Sequence, residues 1–87
     1  MHPSPAPATK DELRMRIRKI FVEQSDVDPR TLTGATRIAE LGLDGVGTIA
    51  LMMALEDTFD LEIPEADADG LKSLQEVVDY VARRLGI

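Results

Sequence analysis

The chain has 87 residues, no Cys, no Trp, a single His and a formal net charge of −6. That length suits one small domain of about three or four helices. The composition excludes a disulfide framework, a thiolate metal site, and a His-based metal site or catalytic triad, and the acidic balance argues against nucleic-acid binding, which needs a basic face.

Residues 1–8 hold Pro3, Pro5 and Pro7 among small residues. Prolines at alternate positions deny a helix its hydrogen bonds, so this segment reads as a disordered or extended tail ahead of a domain over 9–87. Thr9-Lys10-Asp11-Glu12 has the form of a capping box and predicts a helix start. Leu13, Ile17, Ile20 and Phe21 then recur at helical spacing as one apolar stripe. Arg14, Arg16, Arg18 and Lys19 lie mostly off it. The stripe is narrow and flanked by Asp11, Glu12 and Glu23, so the pattern fits an amphipathic core helix rather than a basic binding helix.

From Ser25 to Asp44 the chain is a long connection. Asp28-Pro29 prevents continuation of the first helix, because a residue before Pro is pushed out of the α region. Thr31, Thr33, Gly34 and Thr36 add turn chemistry. A loop of this length needs anchors in a compact domain, and Val27, Leu32, Ile38 and Leu41 are the candidates.

The next stretch, LGLDGVGTIALMMALEDTF over 41–59, organises the rest. Asp44 is a good N-cap, whose carboxylate can accept from free amides of the first turn. A residue just after it stands at a positive helix end, a place that favours an anionic group such as a phosphate. The helix is expected over about Gly45 to Asp60. Gly45 and Gly47 weaken its start by up to roughly 1 kcal/mol each relative to Ala. Ile49, Leu51, Met52, Met53, Leu55 and Phe59 cover more than one face, so they cannot all enter one small core. Val46, Ile49 and Met53 share a stripe that ends at Glu56 and Asp57.

After Asp60, Ile63 reads as a core plug and Pro64 as the first position of a short helix over Glu65 to Asp69, ended by Gly70. Ser73-Leu74-Gln75-Glu76 is a second capping box. Leu74, Val77, Val78, Val81 and Leu85 follow at helical spacing. Arg83 and Arg84 suit the negative helix end, with Gly86 just beyond it. Tyr80 reads as a surface-edge packing residue rather than a catalytic one. Charge is unevenly spread along this order: nine acidic residues and no Lys or Arg lie between Ile38 and Leu71, whereas the first 37 residues hold seven basic ones against five acids. An acidic half of this kind suits a basic protein partner found by electrostatic steering.

Leu41, Gly42, Asp44 and Val46, with Met53-Ala54-Leu55-Glu56, Phe59-Asp60-Leu61-Glu62-Ile63-Pro64 and Asp79-Tyr80-Val81 behind them, resemble the acyl carrier proteins. The resemblance spans about Thr9 to Leu85. It implies an all-α four-helix bundle, with three long helices, one short helix and a long, packed first loop. In that family an Asp-Ser-Leu motif opens the second helix, and the Ser hydroxyl is esterified by 4′-phosphopantetheine. Here Gly45 holds that position beside Asp44, so the attachment point is missing. Thr48 is one turn further on and a poor substitute. Ser4, Ser25 and Ser73 lack the required setting.

The resemblance further implies a docking face at Val46, Ile49, Met53, Glu56 and Asp57, with Ala50 standing where many relatives carry Glu. It also implies an acyl shelter lined by Leu55, Phe59, Ile63 and Leu71. The partners it implies are basic-surfaced enzymes: a phosphopantetheinyl transferase, an acyl- or aminoacyl-loading ligase, and synthases or acyltransferases. The expected function is therefore to shuttle thioester-bound acyl or aminoacyl cargo, here in a form unable to take the arm. The alternative is a natural carrier-like docking module that binds proteins without a prosthetic group. An enzyme is the weakest reading, since no nucleophile–base pair or metal cluster is visible. No apolar run approaches the roughly 18 residues of a membrane helix, and no signal-peptide core is visible. The expectation is a cytoplasmic monomer.

Overall fold

The structure, a computed structural model, describes residues 6–87. Its elements are α1 (Lys10–Gln24), a 3₁₀ turn (Ile38–Leu41), α2 (Gly45–Phe59), α3 (Glu65–Gly70) and α4 (Leu74–Leu85). The architecture is the expected all-α one, three long helices and one short, with a long loop after α1. Most of the expected tail, residues 1–5, lies outside the described residues. Residues 6–8 carry no helix, and Pro7 is buried.

α1 starts where its cap dictates. The Glu12 amide donates to Thr9 Oγ1 at 3.1 Å. The return arm of the expected capping box is displaced by one residue, because Glu12 Oε2 accepts from the Ala8 amide at 2.9 Å rather than from Thr9. Leu13, Ile17, Ile20 and Phe21 are all buried. The helix closes at Ser25, whose hydroxyl donates to the Phe21 carbonyl at 2.6 Å. α1 packs against both α2 and α4.

The long loop is held at more points than its four apolar anchors. Leu32 and Leu41 are buried, while Val27 and Ile38 pack partly buried against the core. Arg18 also reaches out of α1 and donates to the carbonyls of Leu32 at 2.7 Å and Pro29 at 3.1 Å. Further along, the loop is laced to the segment that leads into α4. Ile38 N–H donates to Lys72 O, Leu74 N–H to Thr36 O and Gln75 N–H to Gly34 O, at 2.8, 3.0 and 2.9 Å. Together with an isolated bridge between Arg37 and Ser73, these bonds satisfy backbone groups that a free loop would leave to water.

α4 follows its pattern closely. Leu74, Val77, Val78, Tyr80, Val81 and Ala82 are buried. Glu76 N–H donates to Ser73 Oγ at 3.2 Å. The second capping box is again half formed, because the Glu76 carboxylate accepts from the Ser73 hydroxyl instead of its amide. Gly86 adopts φ +78 as the helix terminates, a left-handed conformation glycine takes without a Cβ penalty. Pro64 stands one position earlier than expected: it caps α3 rather than forming its first residue.

Candidate functional site

α2 carries the residues the sequence singles out, and its N-terminus sets their positions. Asp44 is extended, and its carboxylate accepts from the Gly47 amide at 2.7 Å. Thr48 follows, with its hydroxyl donating to the Asp44 carbonyl at 3.0 Å. The two glycines differ in their surroundings. A Cβ on Gly47 would press on Asp44 Oδ1 and on the Leu43 side chain at 3.2 Å, so the compact cap explains that glycine. A Cβ on Gly45 would meet nothing within 4 Å. Gly45 is exposed at the first position of the helix, where orphan amides face outward.

Below that point the helix divides. Leu51, Leu55 and Phe59 are buried. Val46, Ile49 and Met53 are 77%, 61% and 55% exposed, high values for large apolar side chains on consecutive turns of one face. Single exposed apolar residues are ordinary, but a row of three is a candidate contact surface. Ala50 is exposed beside them. Asp57 is exposed and Glu56 half-buried. Glu56 does more than rim this face. Its Oε2 accepts from the Ile63 amide at 2.9 Å and so anchors the chain after α2. Sequence gave no sign of that, because the bond spans seven residues and forms only when the chain turns back at Asp60. Asp60 itself takes φ +50 as it ends α2.

A cleft of about 440 Å³ runs between α2 and α3, lined by Ile49, Met52 and Met53 on one side and by Ala68 and Asp69 on the other, with Ile63 at its base. A second cleft of about 340 Å³ shares Thr48, Met52, Ala68 and Asp69 with the first and extends to Ile38 and Leu71. Of the four residues expected to line one shelter, two reach these adjoining clefts. Ile63 lines the first cleft and Leu71 the second, whereas Leu55 and Phe59 are buried in the common core and line neither.

The structure also brings together a group that sequence did not connect. The Tyr80 hydroxyl donates to Asp67 Oδ2 at 2.7 Å and accepts from Arg84 Nη1 at 2.7 Å. Arg84 Nη1 donates as well to the Glu62 carbonyl at 2.8 Å, and its guanidinium lies 5.6 Å from the Tyr80 ring centre. Burial, and after it the Asp67 carboxylate, push the Tyr80 hydroxyl above its ordinary value of 10.0. Elsewhere, Lys10 Nζ lies 2.6 Å from Asp79 Oδ1. That bond, then the one from Gln75, holds the Asp79 carboxyl below the usual carboxylate range. Among the described residues no cluster of His, Cys, Asp or Glu could hold a metal ion, and no helix is long and apolar enough to cross a membrane.

Residues 16–81 match the protein family described as "Phosphopantetheine attachment site". The acyl carrier protein of Bdellovibrio bacteriovorus is 41% identical over 70 residues, which is 79% of this chain and 90% of that protein. The acyl carrier protein of Campylobacter concisus is 41% identical over 68 residues, 77% of this chain and 88% of that protein.

Proposed function

This chain belongs to the phosphopantetheine-attachment family of acyl carrier proteins, and from that premise we propose that it is a carrier whose arm has no attachment point, Gly45 standing in the place of the family serine. It is a carrier and not an enzyme; in the family the prosthetic group supplies the thiol chemistry and the protein supplies address and orientation. The observation that carries the reading is the start of α2. Asp44 is fixed by its bond to the Gly47 amide, and position 45 beside it is exposed, with open space where a side chain would stand.

Among the described residues, position 45, Thr48, Ser25 and Ser73 do not fit covalent attachment of the arm. Gly45 has no hydroxyl. The Thr48 hydroxyl is bound back to the Asp44 carbonyl, the Ser25 hydroxyl to the Phe21 carbonyl, and Ser73 Oγ is engaged with Glu76. The working unit is residues 9–87, acting as a cytoplasmic monomer. Its docking face is Val46, Ile49 and Met53 with Glu56 and Asp57 at the end. Its partners are basic-surfaced enzymes that load, modify or receive acyl or aminoacyl cargo. The exposure of that apolar row, which does not depend on what stands at position 45, also supports the second reading of a docking module that works without an arm.

The test is intact mass after incubation with coenzyme A and a broad-specificity phosphopantetheinyl transferase, run on this chain beside Gly45→Ser. A mass gain in the variant alone is the expected result and identifies a carrier site lacking one hydroxyl. No gain in either chain would overturn it in favour of the docking module. A gain in the unaltered chain would place the attachment elsewhere, with Thr48 the first position to examine.

A further inference from the structure

α3 is the least secured element of the fold. It has six residues, none of them buried, and no side-chain cap. The chain is pinned on both sides of it. Before α3, Ile63 is buried, its amide is held by Glu56, and the Glu62 carbonyl is held by Arg84. After α3, the Lys72 carbonyl is held by the Ile38 amide at 2.8 Å. Between those pins, Ala68 packs partly buried against the core. Among the described residues, the bond from Tyr80 to Asp67 is the only side-chain hydrogen bond that joins α3 to another helix.

α3 also forms a wall of both clefts, since Ala68 and Asp69 face Thr48 and Met52 in each. A segment fixed at its ends, with little burial and one polar tie in the middle, is of the kind that opens locally when that tie breaks. We propose that the Tyr80 hydroxyl is a latch that sets the position of α3, and through it the width of the α2–α3 clefts, with Arg84 holding the Tyr80 ring in place. Tyr80 is thus a positioning residue: it lines neither cleft, and it acts on them through Asp67. The chemistry suits a latch. The acceptor is an ionised carboxylate, so the bond is of the stronger, charge-assisted kind. Asp67 is exposed, so a broken bond returns the carboxylate to water, and the cost lies with the buried Tyr80 hydroxyl that loses its acceptor. This inference goes beyond the carrier reading and needs nothing at position 45.

The experiment compares Tyr80→Phe, Asp67→Asn and the double variant with the unaltered chain, by amide hydrogen exchange and by the ε-methyl NMR signals of methionine. In each single variant the amides of Asp67, Ala68 and Leu71 should exchange about tenfold faster, the scale of one lost hydrogen bond to a charged group. Buried α4 amides such as that of Val78 should stay within about twofold. The Met52 and Met53 methyls, which line the clefts, should shift, while that of Met15 on α1 should not. The double variant should exchange no faster than either single one, because both remove the same bond. Tyr80 is the chain's single Tyr and there is no Trp, so its emission should change in Asp67→Asn. Unchanged α3 exchange, an equal rise throughout α4, still Met52 and Met53 methyls, or multiplying effects in the double variant would each overturn the proposal.

Discussion

α2 and α4 differ by only three residues in length, at 15 and 12, yet they treat their surfaces in opposite ways. α4 buries Leu74, Val77, Val78, Tyr80, Val81 and Ala82 and turns Glu76, Arg83 and Arg84 outward. Its pattern and its packing agree closely, with Leu85 only partly buried and Tyr80 and Ala82 buried beside the stripe. α2 has the more apolar sequence and buries fewer large side chains, leaving Val46, Ile49 and Met53 in water. The difference teaches that α4 is built for the core alone, whereas α2 serves the core with one face and leaves another unpartnered. An apolar face kept in water gains nothing for folding, and it is suited to adaptable contact with a second protein.

The largest effect should come from testing that division two residues apart. Leu55→Ala, in the core face, should cost about 2–5 kcal/mol in urea denaturation, through lost burial and the cavity left behind. Met53→Ala should stay within about 0.5 kcal/mol, as exposed substitutions do. Equal costs would dissolve the distinction between the faces. Next in size, Met53→Glu should keep its helicity by circular dichroism while weakening association with a carrier-protein transferase or synthase by about tenfold or more. Loss of helicity would make Met53 a core residue.

A smaller effect concerns rate. Association should slow as salt is raised from about 0.05 to 0.5 M, because the acidic half of the chain is screened. A salt-independent rate would remove the steering argument. The smallest effect lies on α4. Asp79→Asn should cost no more than about 1 kcal/mol at neutral pH, since the pair with Lys10 is largely solvated. Its carboxyl is held below the ordinary 3.8 when folded, so the unfolded chain holds that proton more tightly. The contribution is therefore full above about pH 3.8 and lost as pH falls through the lower folded value. Tyr80 has the opposite sign. Its hydroxyl is raised above 10.0, so the stability it lends is present below that pH and fades as pH rises through the folded value. Melting temperatures from pH 2 to 11 would show both limbs.

Much of the fold was legible because its signals are local. Thr9 and Ser73 cap their helices through bonds that span three residues. The stripes of α1 and α4 repeat within a dozen. Asp44 announces α2, and the row of Val46, Ile49 and Met53 follows from helical spacing alone. The exposure of that row was expected as well, but from the family resemblance. What the sequence did not show lies where a residue's partner is distant: Glu56 holds the Ile63 amide, and of the four apolar residues expected around one shelter Ile63 and Leu71 reach the clefts while Leu55 and Phe59 lie in the core.

The sequence by itself determined the four helices, the Thr9, Asp44 and Ser73 caps, the apolar excess of α2 over what one core face can take, and the lack of a hydroxyl at position 45. Each is a matter of residue type and short-range spacing. Only the tertiary structure decided that Arg18 secures the long loop and that the loop is laced to the segment before α4. It alone joined Tyr80, Asp67, Arg84 and Glu62 across α3 and α4. These bonds link residues 4 to 41 positions apart, and most depend on how whole helices pack, so local pattern does not encode most of them.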